Sequence, residues 1–87
     1  MKKITITVVF NQWGKAFINV IPTGYQQWEP TQSSLQVYDL DPGTYTILYN
    51  SATGGGGTIT VADSAGVLLG SNPLATGIDQ GNFIINV

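Results

Sequence analysis

The sequence predicts an all-β domain: a single antiparallel β-sandwich of about seven short strands, immunoglobulin-like or jelly-roll in type. Three observations carry that prediction. No window of about 11 residues or more holds a helical apolar period free of glycine, proline or β-branched runs. Alternating apolar and polar residues recur along the chain, most clearly in Ile4-Thr5-Ile6-Thr7-Val8. Turn chemistry separates these runs, as at Asp41-Pro42-Gly43 and Gly54-Gly55-Gly56-Gly57.

The first strand is expected from Lys3 to Phe10. Ile4, Ile6, Val8 and Phe10 share one face, and Lys3, Thr5 and Thr7 share the other, the half-buried pattern of an antiparallel sheet. Asn11 to Gly14 reads as a turn. The second strand is expected from Lys15 to Ile21, with Ala16, Ile18 and Val20 on one face. Phe17 and Ile21 lie on the other, so the pattern leaves open whether one face or both are covered.

Pro22 to Ser33 is the longest segment without a period, and Pro22-Thr23-Gly24 and Glu29-Pro30 punctuate it as loop. Ser34 to Leu40 is the third expected strand. Asp41-Pro42-Gly43 then turns the chain: proline presets its backbone angle, and glycine accepts a left-handed one. Thr44 to Asn50 follows, with Tyr45, Ile47 and Tyr49 aligned. The four glycines read as a mobile hairpin connection into Thr58 to Ala62. Ser64-Ala65-Gly66 turns into a short strand around Val67 to Leu69. Gly70 to Gly81 is expected as loop, marked by Asn72-Pro73, Gly77 and Gly81. The last strand is Asn82 to Val87, with Phe83, Ile85 and Val87 aligned.

Residues 1–87 suit one domain, and 43% apolar residues favour collapse over disorder. A domain this short buries only about 60–65% of its unfolded surface. With no cysteine, disulfides cannot support it, and oligomerisation is the remaining common support. The charges are Lys2, Lys3 and Lys15 against Glu29, Asp39, Asp41, Asp63 and Asp79. Three basic residues make no phosphate-tracking stripe and no polybasic membrane anchor, so neither nucleic acid nor membrane insertion is expected. Polarity comes instead from Thr, Ser, Asn, Gln and Gly. Such surfaces repel one another weakly and suit subunits covered by neighbours. A monomeric secreted β-domain has the same composition, and that alternative stays open.

Met1-Lys2-Lys3 before an apolar run has the start of a signal peptide, but the run alternates and no small-residue cleavage site follows before Trp13. A mature strand is the expectation. No stretch approaches about 18 consecutive apolar residues. Location stays open, cytoplasmic residence included, with a virion or an extracellular surface favoured.

Leu40-Asp41-Pro42-Gly43-Thr44-Tyr45-Thr46-Ile47 resembles the L-x-P-G-x-Y-x-hydrophobic corner of prealbumin-like sandwich domains, among them the B-type repeats of Gram-positive adhesins and the regulatory domains of carboxypeptidases. The resemblance covers about a tenth of the chain and implies the sandwich class, which agrees with the strand count. Adhesins of that family often join their first and last strands by a Lys–Asn isopeptide bond beside an acidic residue. The resemblance makes Lys3 with Asn82 or Asn86 the pair to examine. Solvated side chains remain the expectation from the residues themselves.

Catalysis is not expected. With no histidine a Ser-His-Asp triad cannot form within the chain, and with no cysteine there is no thiolate nucleophile or ligand. Asp39 and Asp41 share a face if extended, but calcium takes about six to eight oxygens and no acidic loop follows. The expected roles are a solvated Asp39 and an Asp41 that opens the turn. The glycine run lacks the lysine and the helix of a phosphate-binding loop. Neither cofactor nor metal is expected.

The candidate binding residues are Trp13, Tyr25, Gln26, Gln27 and Trp28. Aromatic faces stack on sugars and amides bond hydroxyls, so the group could be a glycan platform. It equally suits a protein contact anchored by Trp and Tyr. A third reading has Trp13 and Trp28 capping the open ends of the core. The expected function is a non-enzymatic structural or interaction module, a small subunit or decoration domain of a larger assembly such as a virion, that docks on a protein partner or on itself. A carbohydrate-binding or adhesin-type extracellular module is the alternative.

Overall fold

The computed structural model describes residues 1–87 as seven strands without a helix: β1 (Lys2–Phe10), β2 (Trp13–Ile21), β3 (Ser34–Leu40), β4 (Thr44–Gly54), β5 (Gly57–Asp63), β6 (Leu68–Leu74) and β7 (Gly77–Asn86). All pairings are antiparallel. One sheet has the order β3-β1-β5-β6 and the other β2-β4-β7. The two pack face to face as a sandwich. In immunoglobulin constant domains the orders are A-B-E-D and C-F-G; here β5–β6 is the one pair of consecutive strands that stays in a single sheet. No helix is long and apolar enough to cross a membrane.

The alternation read from the sequence decides which side faces in. Ile4, Ile6, Val8 and Phe10 of β1 meet Ala16, Ile18 and Val20 of β2 in one core with Tyr38, Leu40, Ile47, Tyr49, Ile59, Val61, Leu74 and Ile85. Each fully buried Ile or Val contributes about 1.5–3 kcal/mol relative to exposure, and this row of β-branched residues is the main source of stability.

The Pro-Gly corner works through its tyrosine. The Tyr45 hydroxyl donates to the Asp41 carbonyl at 2.8 Å, tying the strand to the turn before it, as in a tyrosine corner. Gly43 departs from the expected left-handed angle. Its N–H and C=O both pair with Val87, which draws it into the ladder beside β7.

The segment Gly70 to Gly81, expected as loop, is mostly strand: β6 continues to Leu74, Ala75 and Thr76 turn the chain, and β7 begins at Gly77. The glycines and proline that suggested loop have other reasons. A Cβ on Gly70 would lie 2.9 Å from the Phe83 ring and 3.1 Å from Ile85, and one on Gly81 would lie 2.6 Å from the Tyr49 hydroxyl. Gly70 marks close approach between the sheets, and Gly81 leaves room for the Tyr49 side chain of its neighbour in the same sheet. Pro73 lies in the sandwich's outermost strand on that side, where its missing N–H removes no ladder bond. The four-glycine run likewise contributes to both strands, and the left-handed angles fall on Gly55 and Gly56 alone.

Candidate functional site

The candidate residues do not form one platform. Trp13 opens β2, paired with Gly54, and is 62% exposed. Tyr25 follows the opposite end of β2, about 25 Å of strand away. Trp28 is partly buried against the core, while Gln26 and Gln27 are exposed. Trp28 thus packs against the core, and Trp13 is largely exposed.

The loop that carries Tyr25 to Trp28 seals one side of the sandwich. Trp28 pairs with the free edge of β2, exchanging N–H···O bonds of 2.8 and 2.9 Å with Ile18, and the Ala16 N–H donates to the Pro30 carbonyl at 3.0 Å. Thr23 Oγ1 donates to the Val20 carbonyl. Across the gap, the Tyr25 hydroxyl serves the edge of β3 at Asp39, and Ser33 Oγ accepts the Phe10 N–H at 2.9 Å. Tyr25 also meets Tyr38 edge-on, with ring centroids 4.9 Å apart. Burial, and secondarily the neighbouring Tyr25, pushes the Tyr38 phenol above its ordinary value.

Three of the five acids are engaged locally. Asp39 pairs with Lys3 at 3.0 Å on the outer face of the four-stranded sheet. Asp63 Oδ1 accepts the N–H groups of Ala65 and Val67, and Asp79 Oδ2 that of Ala75, so both hold turns. Asn86 lies on the outer face of the other sheet, where its Oδ1 accepts from Thr44 Oγ1. Lys3 and Asn86 are thus on opposite faces of the sandwich, and an isopeptide between them has no path. Asn82 shares the face of Asn86, and the same separation holds for it.

A different surface brings aromatic, aliphatic and amide side chains together: the outer face of β2-β4-β7. The ladder places Trp13, Lys15, Phe17, Asn19 and Ile21 in one row, Thr46, Leu48, Asn50 and Ala52 in the next, and Ile78, Gln80, Asn82 and Ile84 in the last. Leu48 stands opposite Asn82, and Asn50 opposite Gln80. These four side chains and the Tyr49–Gly81 backbone frame an open depression of about 500 Å³. Phe17 stands opposite Asn50 on the neighbouring strand. Lys15 is the one charge on this face, 5.1 Å above the Phe17 ring. Ile84 is 62% and Ile78 90% exposed. Gln27 joins the rim by accepting from Asn19 Nδ2 at 2.9 Å.

Of the residues singled out from sequence, Trp13 lies on this face and Gln27 at its rim. Phe17, Asn50, Gln80 and Asn82 were missed. Their signal was present in the second face of each alternating strand, where Phe17 and Ile21 already broke the polar pattern. Nothing in the chain covers that face. No family model matches the chain, and no curated protein or solved structure matches it either.

Proposed function

We propose that the chain is a non-enzymatic interaction module that docks through the outer face of β2-β4-β7 onto a protein partner in a larger assembly, of which a virion is one setting. One observation carries this reading: Trp13, Phe17, Leu48, Ile78 and Ile84 lie among amides on a face with a single charge. Interface cores are depleted of charge and enriched in aromatics, and contiguous exposed apolar surface marks contact sites. The missing histidine and cysteine, and the engagement of three of the five acids in turns and an ion pair, support a binding role over a catalytic one.

The test is site-specific photo-crosslinking in the native source. A benzophenone side chain at Phe17 is expected to capture a protein that the same group at Thr5, on the opposite sheet, does not. Equal capture at both positions, or none at Phe17, overturns the reading.

The depression favours a second reading, a glycan site. Amides from Asn50, Gln80 and Asn82 line it, and Phe17, opposite Asn50 on the neighbouring strand, supplies an aromatic ring on the same face. Tryptophan fluorescence titrated with neutral polysaccharides separates the two: saturable change lost in Phe17→Ala supports glycan binding, and no change leaves the protein contact.

A further inference from the structure

The sandwich is closed on one side and open on the other. The long loop covers β2 and plugs β3 at Asp39, whereas no segment pairs with the free edges of β6 and β7. Those two edges differ. β6 is blunted by Pro73, which offers no N–H, and by an irregularity in its pairing between Val61 and Ala62. β7 has few of the usual protections. Its ten residues run in unbroken register with β4, contain no proline or lysine, and carry one charge, Asp79, already turned back onto Ala75.

Parity assigns the free groups. Gly43 and Val87 exchange both bonds, so along the ladder the odd-numbered residues of β7 face β4. The N–H and C=O of Ile78, Gln80, Asn82, Ile84 and Asn86 therefore point outward from the edge. The side chains of these same residues lie on the outer face.

We propose that β7 pairs antiparallel with β7 of a second copy across a twofold axis at Gly81, joining two three-stranded sheets into one. This rests on the interaction-module reading and adds a contact at the sheet edge to its docking face. The sequence of the edge selects the register. With Gly81 on the axis, Ile78 opposes the partner's Ile84, and Gln80 opposes the partner's Asn82. Apolar meets apolar and amide meets amide at every hydrogen-bonded pair. Sliding the strands by one pair in either direction sets isoleucine against an amide. No charge opposes a like charge, because Asp79 stands across from the partner's Phe83. The pairing forms about eight new hydrogen bonds, two from each hydrogen-bonded pair. It also brings the two depressions, each lined by Gln80 and Asn82, to the twofold axis, so a ligand of that face meets both copies at once.

The full chain, which has no cysteine, is tested in two ways. Sedimentation equilibrium is expected to move from 9.3 kDa toward twice that mass as concentration rises. Asn82→Pro removes an outward N–H that β4 does not use, and is expected to stay monomeric with an unchanged far-ultraviolet circular dichroism spectrum. Independently, Gln80→Cys mixed with Asn82→Cys is expected to form a disulfide-linked heterodimer under mild oxidation, and neither variant alone to cross-link comparably. A wild-type chain that is monomeric at millimolar concentration overturns the pairing, and like-with-like cross-linking overturns the register. Photo-crosslinking from Phe17 reads the docking face separately, so a monomer that still captures a foreign protein there fails this inference and not the module reading.

Discussion

The Tyr25 hydroxyl holds both backbone groups of Asp39: it accepts the N–H at 3.0 Å and donates to the C=O at 3.4 Å. One side chain thereby occupies a position on the β3 edge where another strand would bind. Removing the hydroxyl in Tyr25→Phe is expected to cost about 1 kcal/mol, the net value of a partly exposed hydrogen bond. Amide exchange reports on the site directly. The Asp39 amide should lose protection while that of Ile6, in the middle of the sheet, keeps it. Unchanged exchange at Asp39 contradicts the plug.

Tyr38 predicts the alkaline limb of stability. Its phenol is raised above 10.0 by burial first and by Tyr25 second. The folded chain therefore keeps this proton at a pH where the unfolded chain loses it. The contribution is whole below pH 10.0 and is lost as pH rises from there through the folded value. Urea unfolding midpoints should fall above about pH 10, and Tyr38→Phe should flatten that fall. An equally steep decline in the variant would assign the limb elsewhere.

Two glycines with opposite surroundings test the packing. At Gly70 an added Cβ meets Phe83 at 2.9 Å, while at Gly24 nothing lies within 4 Å. Gly70→Ala is expected to cost about 1–3 kcal/mol through overpacking. Gly24→Ala is expected to be neutral or to stabilise by up to about 1 kcal/mol, by restricting the unfolded chain. Denaturant titration of both variants checks the contrast, and equal effects would refute it.

Gly70 also shows why part of the fold was hard to read. The first five strands were legible because alternation at Ile4 to Phe10 or Tyr45 to Tyr49 follows from one buried face. At Gly70, Pro73 and Gly81 the determining facts are long-range: a Phe83 ring, an unpaired edge and a Tyr49 hydroxyl, none of them adjacent in sequence. Local propensity therefore read loop where tertiary contact makes strand. The candidate residues scatter for a related reason. Tyr25 and Trp28 stood out as clustered loop aromatics, yet each is directed to a strand edge that only the topology creates. Phe17, Asn50 and Asn82 are distant in sequence and adjacent only through the β2-β4-β7 ladder.

Ser51 is the one buried polar side chain whose oxygen has no partner. Its neighbour on the same face, Thr53, donates to the Ala75 carbonyl at 3.1 Å. Removing an unsatisfied hydroxyl relieves a desolvation cost, so Ser51→Ala is expected to be neutral or stabilising by about 1 kcal/mol. Thr53→Val, which strands the Ala75 carbonyl, should destabilise by about 1 kcal/mol. Thermal melts of both variants decide it, and a destabilised Ser51→Ala would reveal a partner for that hydroxyl.

The two tryptophans separate stability from binding. Trp28 packs against the core and its backbone closes the β2 edge, whereas Trp13 is 62% exposed and paired only with Gly54. Trp28→Ala is expected to cost about 3 kcal/mol, the lower end for a core aromatic because burial is partial. Trp13→Ala is expected to stay within about 0.5 kcal/mol of the parent. Acrylamide quenching of each single-tryptophan variant should find Trp13 accessible and Trp28 shielded. On the docking reading, Trp13→Ala weakens partner capture from Phe17 without moving the unfolding midpoint. A Trp13→Ala chain that loses stability as Trp28→Ala does would make Trp13 a second core cap and remove it from the binding face.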